Sequence, residues 1–167
     1  MKPSKGTLIQ ERIDRAFAGK QRESKLVYEY EEYRITLVNG KWTGGLGVTK
    51  VKDTDSTMLD VTNIERTLID IAVRPSYAGG VFEVLKIYEA AKTKVNVSKL
   101  LSSLKKMNYV YPYHQAIGFY MERAGYPEKH WTRLKRFGIK YNFYLTYGLP
   151  SDKMYDSKWR IYYPNGL

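Results

Sequence analysis

Two acids one residue apart, Asp53 and Asp55, lie downstream of a Gly44-Gly45 pair. Metal-assisted nucleotidyl transfer uses that order: a glycine turn approaches the phosphates, and paired carboxylates chelate the Mg²⁺ that bridges them. Here Thr54 separates the acids and Ser56 follows, which reads as a polar turn and not an apolar strand. An enzyme using Asp53 and Asp55 is the least favoured of three readings, behind a nucleic-acid-binding module that uses the basic face over 128–140. The run Gly44-Gly45-Leu46-Gly47 lacks the spacing of both common phosphate-binding glycine motifs, and no clear helix follows it, so glycines of a hairpin explain it better. His114 stands at the start of a predicted helix without a nucleophile elbow or a paired metal-ligating histidine. Glu83 and Lys86 have the wrong spacing for a nuclease core and fall in a predicted helix. The chain has no cysteine and two histidines, His114 and His130. This excludes disulfides, thiolate metal sites, a cysteine nucleophile and His-rich metal sites. No catalytic residue, cofactor site or metal site is predicted.

The basic residues carry more information. Lys and Arg number 28 against 17 Asp and Glu, for a net charge of +11. Residues 98–167 hold 12 bases and 4 acids, whereas residues 1–60 are nearly balanced at 11 and 9. Within the basic part, Lys129, Arg133 and Arg136 fall at i, i+4 and i+7 of a predicted helix, beside His130, Lys135 and Lys140. One face of that helix presents cations to phosphates or to an acidic partner, and Trp131, Leu134 and Phe137 face elsewhere. The same residues also suit an ordinary solvated surface. No helix-turn-helix is evident around them.

The elements that position these residues follow from periodicity. At 167 residues, 43% hydrophobic and 14% aromatic with sixteen tyrosines, the chain has the composition of one folded domain of ordinary size. Thr7 and Gln10 have capping-box spacing ahead of a helix over 7–17, stopped at Gly19. Residues 25–38 alternate with period two, interrupted at Glu31-Glu32, and Asn39-Gly40 is a turn signal. Short strands are predicted within Trp42–Val51, around Gly44, Gly45 and Gly47, and over Met58–Val61, with a turn at Asp53–Ser56. Thr62 and Glu65 form a second capping-box pattern, with Ile64, Leu68, Ile71 and Ala72 as the buried stripe. Arg74-Pro75 ends that helix, and Gly79-Gly80 allows a tight turn. Helices follow over 81–92, from Asn96 or Ser98 to Asn108, from Pro112 to Gly125, and over 128–137. The tail alternates again through Ile139, Tyr141, Phe143 and Leu145, then Trp159, Ile161 and Tyr163.

The predicted fold class is α+β: an N-terminal helix with a small antiparallel sheet, about five helices, then C-terminal strands. Residues 1–61 and 62–167 form the two parts, packed as one unit. No apolar run reaches the roughly 18 residues of a membrane span, and the opening residues lack the apolar run of a signal peptide, so the expected location is the cytoplasm.

The run VTNIERTLIDIAVRPSYAGG over 61–80 resembles the signature of AbiEi-family antitoxins, T-x-x-E-R-T-L-I-D-x-x-x-R-P-x-x-A-G-G. Similar likenesses occur in IQERIDRAF over 9–17, QAIGFYMERAG over 115–125, FYL over 143–145 and KWRIYYPNGL over 158–167. The resemblance implies an antitoxin of an abortive-infection system, opposed to a nucleotidyltransferase-like toxin encoded beside it. Such systems are classed as type IV, in which the antitoxin need not touch the toxin, so the toxin and its target both stand as functional partners. The family has an N-terminal winged helix that represses its own promoter. None is read before Pro3, so the expectation is the antitoxic region alone, with autorepression belonging to a full-length parent. Among the signature residues, Arg66 and Asp70 are spaced to pair at i, i+4, and Arg74 suits a helix C-terminus. With Glu65 they are expected to tie the helix to the sheet and to the Gly79-Gly80 turn, in preference to contacting a partner.

Overall fold

A computed structural model describes residues 8–167. Helix α1 (Gln10–Ala18) turns Ile13 and Phe17 inward. Thr7, the predicted cap, lies outside the described residues. Gln10 is not a capping partner but a clamp. Its side chain donates to the Asn142 carbonyl and accepts from the Asn142 N–H, both at 2.9 Å, which pins α1 to the C-terminal strands.

Two antiparallel hairpins follow. Strands β1 (Val27–Tyr30) and β2 (Tyr33–Thr36) are joined at Glu31-Glu32, with Glu31 in the left-handed region at φ 52°. The interruption in the alternating pattern is therefore the turn itself, and Asn39-Gly40 is not. Tyr28 pairs with Ile35 and Tyr30 with Tyr33, cross-strand partners that a turn at residue 39 would separate. Strands β3 (Val48–Lys52) and β4 (Met58–Thr62) close around the predicted Asp53–Ser56 turn.

Helix α2 (Ile64–Val73) leaves β4 directly. Its cap is Asn63, whose side chain accepts the Arg66 N–H at 2.9 Å; Thr62 is the last strand residue. That one-residue shift moves the buried stripe to Glu65, Leu68, Ile69 and Ala72, and leaves Ile64 exposed and Ile71 at the margin. A 3-10 turn (Pro75–Ala78) and the Gly79-Gly80 pair, at φ 80° and 93°, lead to α3 (Val81–Ala91). Helix α4 (Val97–Met107) is capped by the Asn96 side chain and ends at left-handed Asn108. Pro112 precedes α5 (Tyr113–Arg123), which is surrounded: from Tyr113 to Met121 every residue except His114 is buried.

The predicted helix over 128–137 is divided. It is α-helical only as α6 (Glu128–Trp131) and continues as a 3-10 segment (Thr132–Phe137). Trp131 and Leu134 are buried, but Phe137 is 41% exposed. The tail forms a three-stranded sheet in the order β5-β7-β6, from β5 (Phe143–Tyr144), β6 (Met154–Asp156) and β7 (Ile161–Tyr163). β5 runs parallel to β7, and β6 antiparallel to it. β6 is not among the predicted strands, and β5 is much shorter than the alternation from Ile139 suggests. Buried Gln115 donates from α5 to the Tyr141 carbonyl at 2.9 Å and the Trp159 carbonyl at 2.6 Å, holding the chain just ahead of β5 and β7.

The architecture is α+β, as the element order predicts, but its strands form three small sheets. The core lies among α1–α6 and the C-terminal sheet, with Tyr88, Tyr120, Phe119, Phe143 and Trp159 as its largest fully buried side chains. Gly118 is required by that packing: a Cβ there would fall 2.2 Å from the Trp159 ring. Among the described residues, no helix is long and apolar enough to cross a membrane.

Candidate functional site

The acids at 53 and 55 occupy the exposed tip of the β3–β4 hairpin. The Asp53 carboxylate accepts the Thr54 N–H at 2.7 Å, a contact within the turn. No group of three or more His, Asp or Glu side chains among the described residues is arranged to hold a metal. Glu83 and Lys86 pair with each other at 2.6 Å on the surface of α3. His114 Nε2 lies 2.7 Å from the Gly138 carbonyl, and its ring stacks on Phe137.

The glycines at 44, 45 and 47 form a turn in which all three have positive φ. A phosphate-binding loop aims N–H groups at an anion. This turn instead offers oxygens to a cation: the Arg66 guanidinium donates to the Leu46 carbonyl at 2.7 Å and the Thr43 hydroxyl at 2.8 Å. Gly47 is needed for that approach, since a Cβ there would sit 2.7 Å from Arg66 Cβ.

The signature side chains are engaged within the fold, and of the four only Glu65 is buried. Arg66 Nε also donates to Asp70 at 2.7 Å, the predicted i, i+4 pair. Burial raises the Asp70 carboxyl above its ordinary value; the Arg66 charge and hydrogen bond oppose this without overcoming it. Glu65 is buried, accepts the Asn96 N–H at 2.9 Å and lies 3.5 Å from Lys99 Nζ. It thus places a carboxylate at the start of α4, where the helix dipole favours it. Arg74 donates to the Asn39 carbonyl at 2.7 Å. Glu65, Arg66 and Arg74 do tie α2 to its surroundings, but through Asn39, Thr43, Leu46 and α4, while Asp70 holds Arg66 from within the helix. None of them hydrogen-bonds to Gly79 or Gly80 through a side chain.

The basic cluster is not one stripe. A 3-10 segment advances three residues per turn, so Arg133 and Arg136 align while Lys129 falls out of line. Arg133 donates to Ser98 Oγ at 3.1 Å. Lys135 turns away and lies 5.4 Å from the Trp131 ring centre and 5.5 Å from that of Trp159, in cation–π contact. Lys140 lies 5.3 Å from the Tyr141 ring centre. Lys129 and Arg136 are exposed, with no ion-pair partner among the described residues.

Two surfaces fall outside the sequence expectations. One is the pair of N-terminal hairpins. Every residue of β3 and β4 is exposed, and so are Tyr28, Tyr30, Tyr33 and Ile35 on the first hairpin. Trp42, between the hairpins, is 88% exposed. Single exposed apolar residues are ordinary, but this many on two adjacent hairpins is the kind of surface that binding partners cover. The available signal is the isolation of these strands between turns, with no helix to cover them. The other surface is a cleft of about 330 Å³ between the end of α4 and the 3-10 segment, lined by Lys105, Asn108, Tyr109, Tyr113, His114 and Phe137 among others. Its signal is the alternation of Tyr109, Tyr111 and Tyr113 beside Pro112. No protein-family model, no curated protein and no solved structure matches this chain.

Proposed function

We propose that this chain is a non-enzymatic antitoxin domain of an AbiEi-like abortive-infection system. It counters a nucleotidyltransferase-type toxin in the cytoplasm, either by contacting the toxin or by acting on the toxin's target. The observation that supports this reading is where the signature residues lead. Arg66 and Arg74 grip Thr43, Leu46 and Asn39, the stretch that joins the two exposed hairpins. The run that resembles the family therefore fastens a large apolar surface to the helical core, which is what a binding protein requires. Of the two acids that could have suggested catalysis, Asp53 is occupied by its own turn.

The test is co-expression of residues 1–167 with the toxin encoded beside it. Growth should be rescued, and the double substitution Asp53→Asn with Asp55→Asn should leave rescue intact. Arg66→Ala should weaken rescue by loosening the hairpins. Failure of this chain alongside rescue by a longer form that contains it would overturn the reading. In such a longer form, promoter repression belongs to the winged helix.

A second reading, a nucleic-acid-binding module, is favoured by the exposed Lys129 and Arg136 beside Arg133 and Lys140. Gel-shift titration across a salt series tests it. Phosphate contacts bind most tightly at low salt, so absence of a shift there removes this reading.

A further inference from the structure

Asn108 ends α4 in the left-handed conformation at φ 46°, and the chain then runs through Tyr109 and Tyr113 into α5. This reversal opens the cleft of about 330 Å³. That volume is at the lower end of the roughly 300–1,000 Å³ typical of small-molecule sites.

Three properties of the cleft point to one ligand chemistry. It is aromatic. Tyr109 and Tyr113 meet edge to face with ring centres 5.2 Å apart, and His114 and Phe137 stack at 5.6 Å. His114 covers only part of Phe137, which remains 41% exposed at the rim. An exposed phenyl ring beside a slot is a stacking platform. It is also basic: Lys105 is part of the lining and no carboxylate is. Lys41 Nζ lies 5.6 Å from the Tyr109 ring centre, and Arg136 and Lys140 flank the Phe137–Gly138 rim in sequence. The acid whose charge reaches Tyr109, Asp70, is already paired with Arg66. Finally, it has polar groups to spare. The exposed Asn108 amide and the Tyr109 hydroxyl hydrogen-bond to no described residue. Burial raises the Tyr109 hydroxyl to about 12, and at neutral pH it carries its proton, as any tyrosine does.

We propose that this cleft binds a nucleotide, with its base stacked on the open face of Phe137, the base edge met by Asn108, and the phosphate met by Lys105 and the cations of the rim. A purely apolar ligand would leave the amide and the lysine unused. An acidic peptide side chain would leave the aromatic platform unused. The base can come from a free nucleotide or from a single strand of nucleic acid, and the chemistry of recognition is the same. This inference does not depend on the antitoxin reading; it shares Arg136 and Lys140 with the nucleic-acid reading but rests on Lys105, Asn108 and Phe137 of the cleft.

The experiment is titration of the full 167-residue chain with adenosine monophosphate, single-stranded oligoadenylate and inorganic phosphate, followed by residue-resolved NMR. The expected result is that the first two shift signals of Phe137, His114 and Tyr109, while inorganic phosphate does not. Tighter binding of oligoadenylate assigns the site to a strand, and equal binding assigns it to a free nucleotide; both support the proposal. Phe137→Ala, an exposed position, should weaken binding about tenfold or more, as loss of one base–aromatic stack does. Lys105→Glu should weaken it similarly. Asn108→Gly keeps the left-handed cap and removes the amide, so it should reduce discrimination among bases with little loss of fold. Lys86→Ala on α3 should change nothing. No shift at millimolar nucleotide, equal binding of inorganic phosphate, or full binding by both Phe137→Ala and Lys105→Glu would overturn the proposal.

Discussion

The two hairpins and helix α5 are opposites. From Ala18 to Ile64 no residue is buried, whereas from Tyr113 to Met121 every residue but His114 is. Apolar content does not separate them, because Tyr28, Tyr30, Tyr33, Ile35 and Trp42 are as hydrophobic as the residues of α5. The difference is what lies around each segment. α5 packs against α2, α3, the 3-10 segment and the C-terminal strands. The hairpins pair only within themselves, and an isolated two-stranded hairpin is marginal in water. They are held at a few points: Arg66 at Thr43 and Leu46, Arg74 at Asn39, Lys41 at the carbonyls of Met107 and Asn108, and the Ser24 N–H at the Tyr77 hydroxyl. The lesson is that this chain divides folding from presentation. The helical part supplies the stability, and a set of polar contacts displays apolar surface that contributes little to it.

The largest effect that would expose this division is at Trp159, which is fully buried and donates its indole N–H to Glu122 at 2.6 Å. Trp159→Ala should cost about 3–5 kcal/mol, read as a lower denaturation midpoint for the whole chain. A small effect there would mean that the core is not where the structure places it.

Arg66→Ala comes next, at about 1.5–3 kcal/mol, because it leaves the Leu46 carbonyl and the desolvated Asp70 carboxylate without their cation. Native-state hydrogen exchange should show β3 and β4 losing protection before α5 does. Loss of protection in both at once would dissolve the comparison.

Alkaline pH separates the regions in another way. Burial raises the Tyr88, Tyr113 and Tyr120 hydroxyls above the ordinary value of 10.0. Above that pH the unfolded chain releases these protons while the native core retains them. The unfolded state then binds fewer protons, and stability falls as pH rises. Each such hydroxyl removes up to about 1.4 kcal/mol per pH unit above 10.0. Tyrosinate absorbance should show these core groups ionising together with unfolding. Their smooth ionisation in a folded chain would contradict the core.

The smallest effect is at the other tryptophan of the comparison. Trp42 is 88% exposed, so Trp42→Ala should change stability by no more than about 0.5 kcal/mol. If the hairpins are a binding surface, the same substitution should still impair rescue from the toxin. A destabilisation comparable to that of Trp159→Ala would show that the hairpins belong to the core.

Local chemistry made much of this readable in advance. The breaks at Gly19, Pro75, Gly79-Gly80, Asn108, Pro112, Gly125 and Gly138 all stand where element ends are found, because positive φ, proline sterics and caps act within a few residues. The Arg66–Asp70 pair was legible for the same reason. The misplacements arose where two local signals competed. Asn63 took the cap from Thr62 because the strand β4 runs through Thr62 and Asn63 is the first residue free to turn. The 3-10 winding of 132–137, which divides the basic stripe and sets Lys135 against Trp131 and Trp159, depends on how Leu134 and Trp131 seat in the core. No periodicity within ten residues contains that information. Nor could the nucleotide-sized cleft be read, since Lys105 and Phe137 come together only across the fold.

The sequence by itself determined most of the helix and strand order and many of its stops, the absence of thiol chemistry and the basic C-terminal part. These rest on backbone preference and composition, which need no partner. Tertiary structure alone decided which alternating strand is covered. Tyr28–Tyr30 and Phe143–Leu145 read alike as period-two segments, yet Phe143 and Leu145 are buried and the two tyrosines are exposed. Alternation says that a strand has two faces; only the helix or sheet that arrives from elsewhere in the chain removes one of them from water.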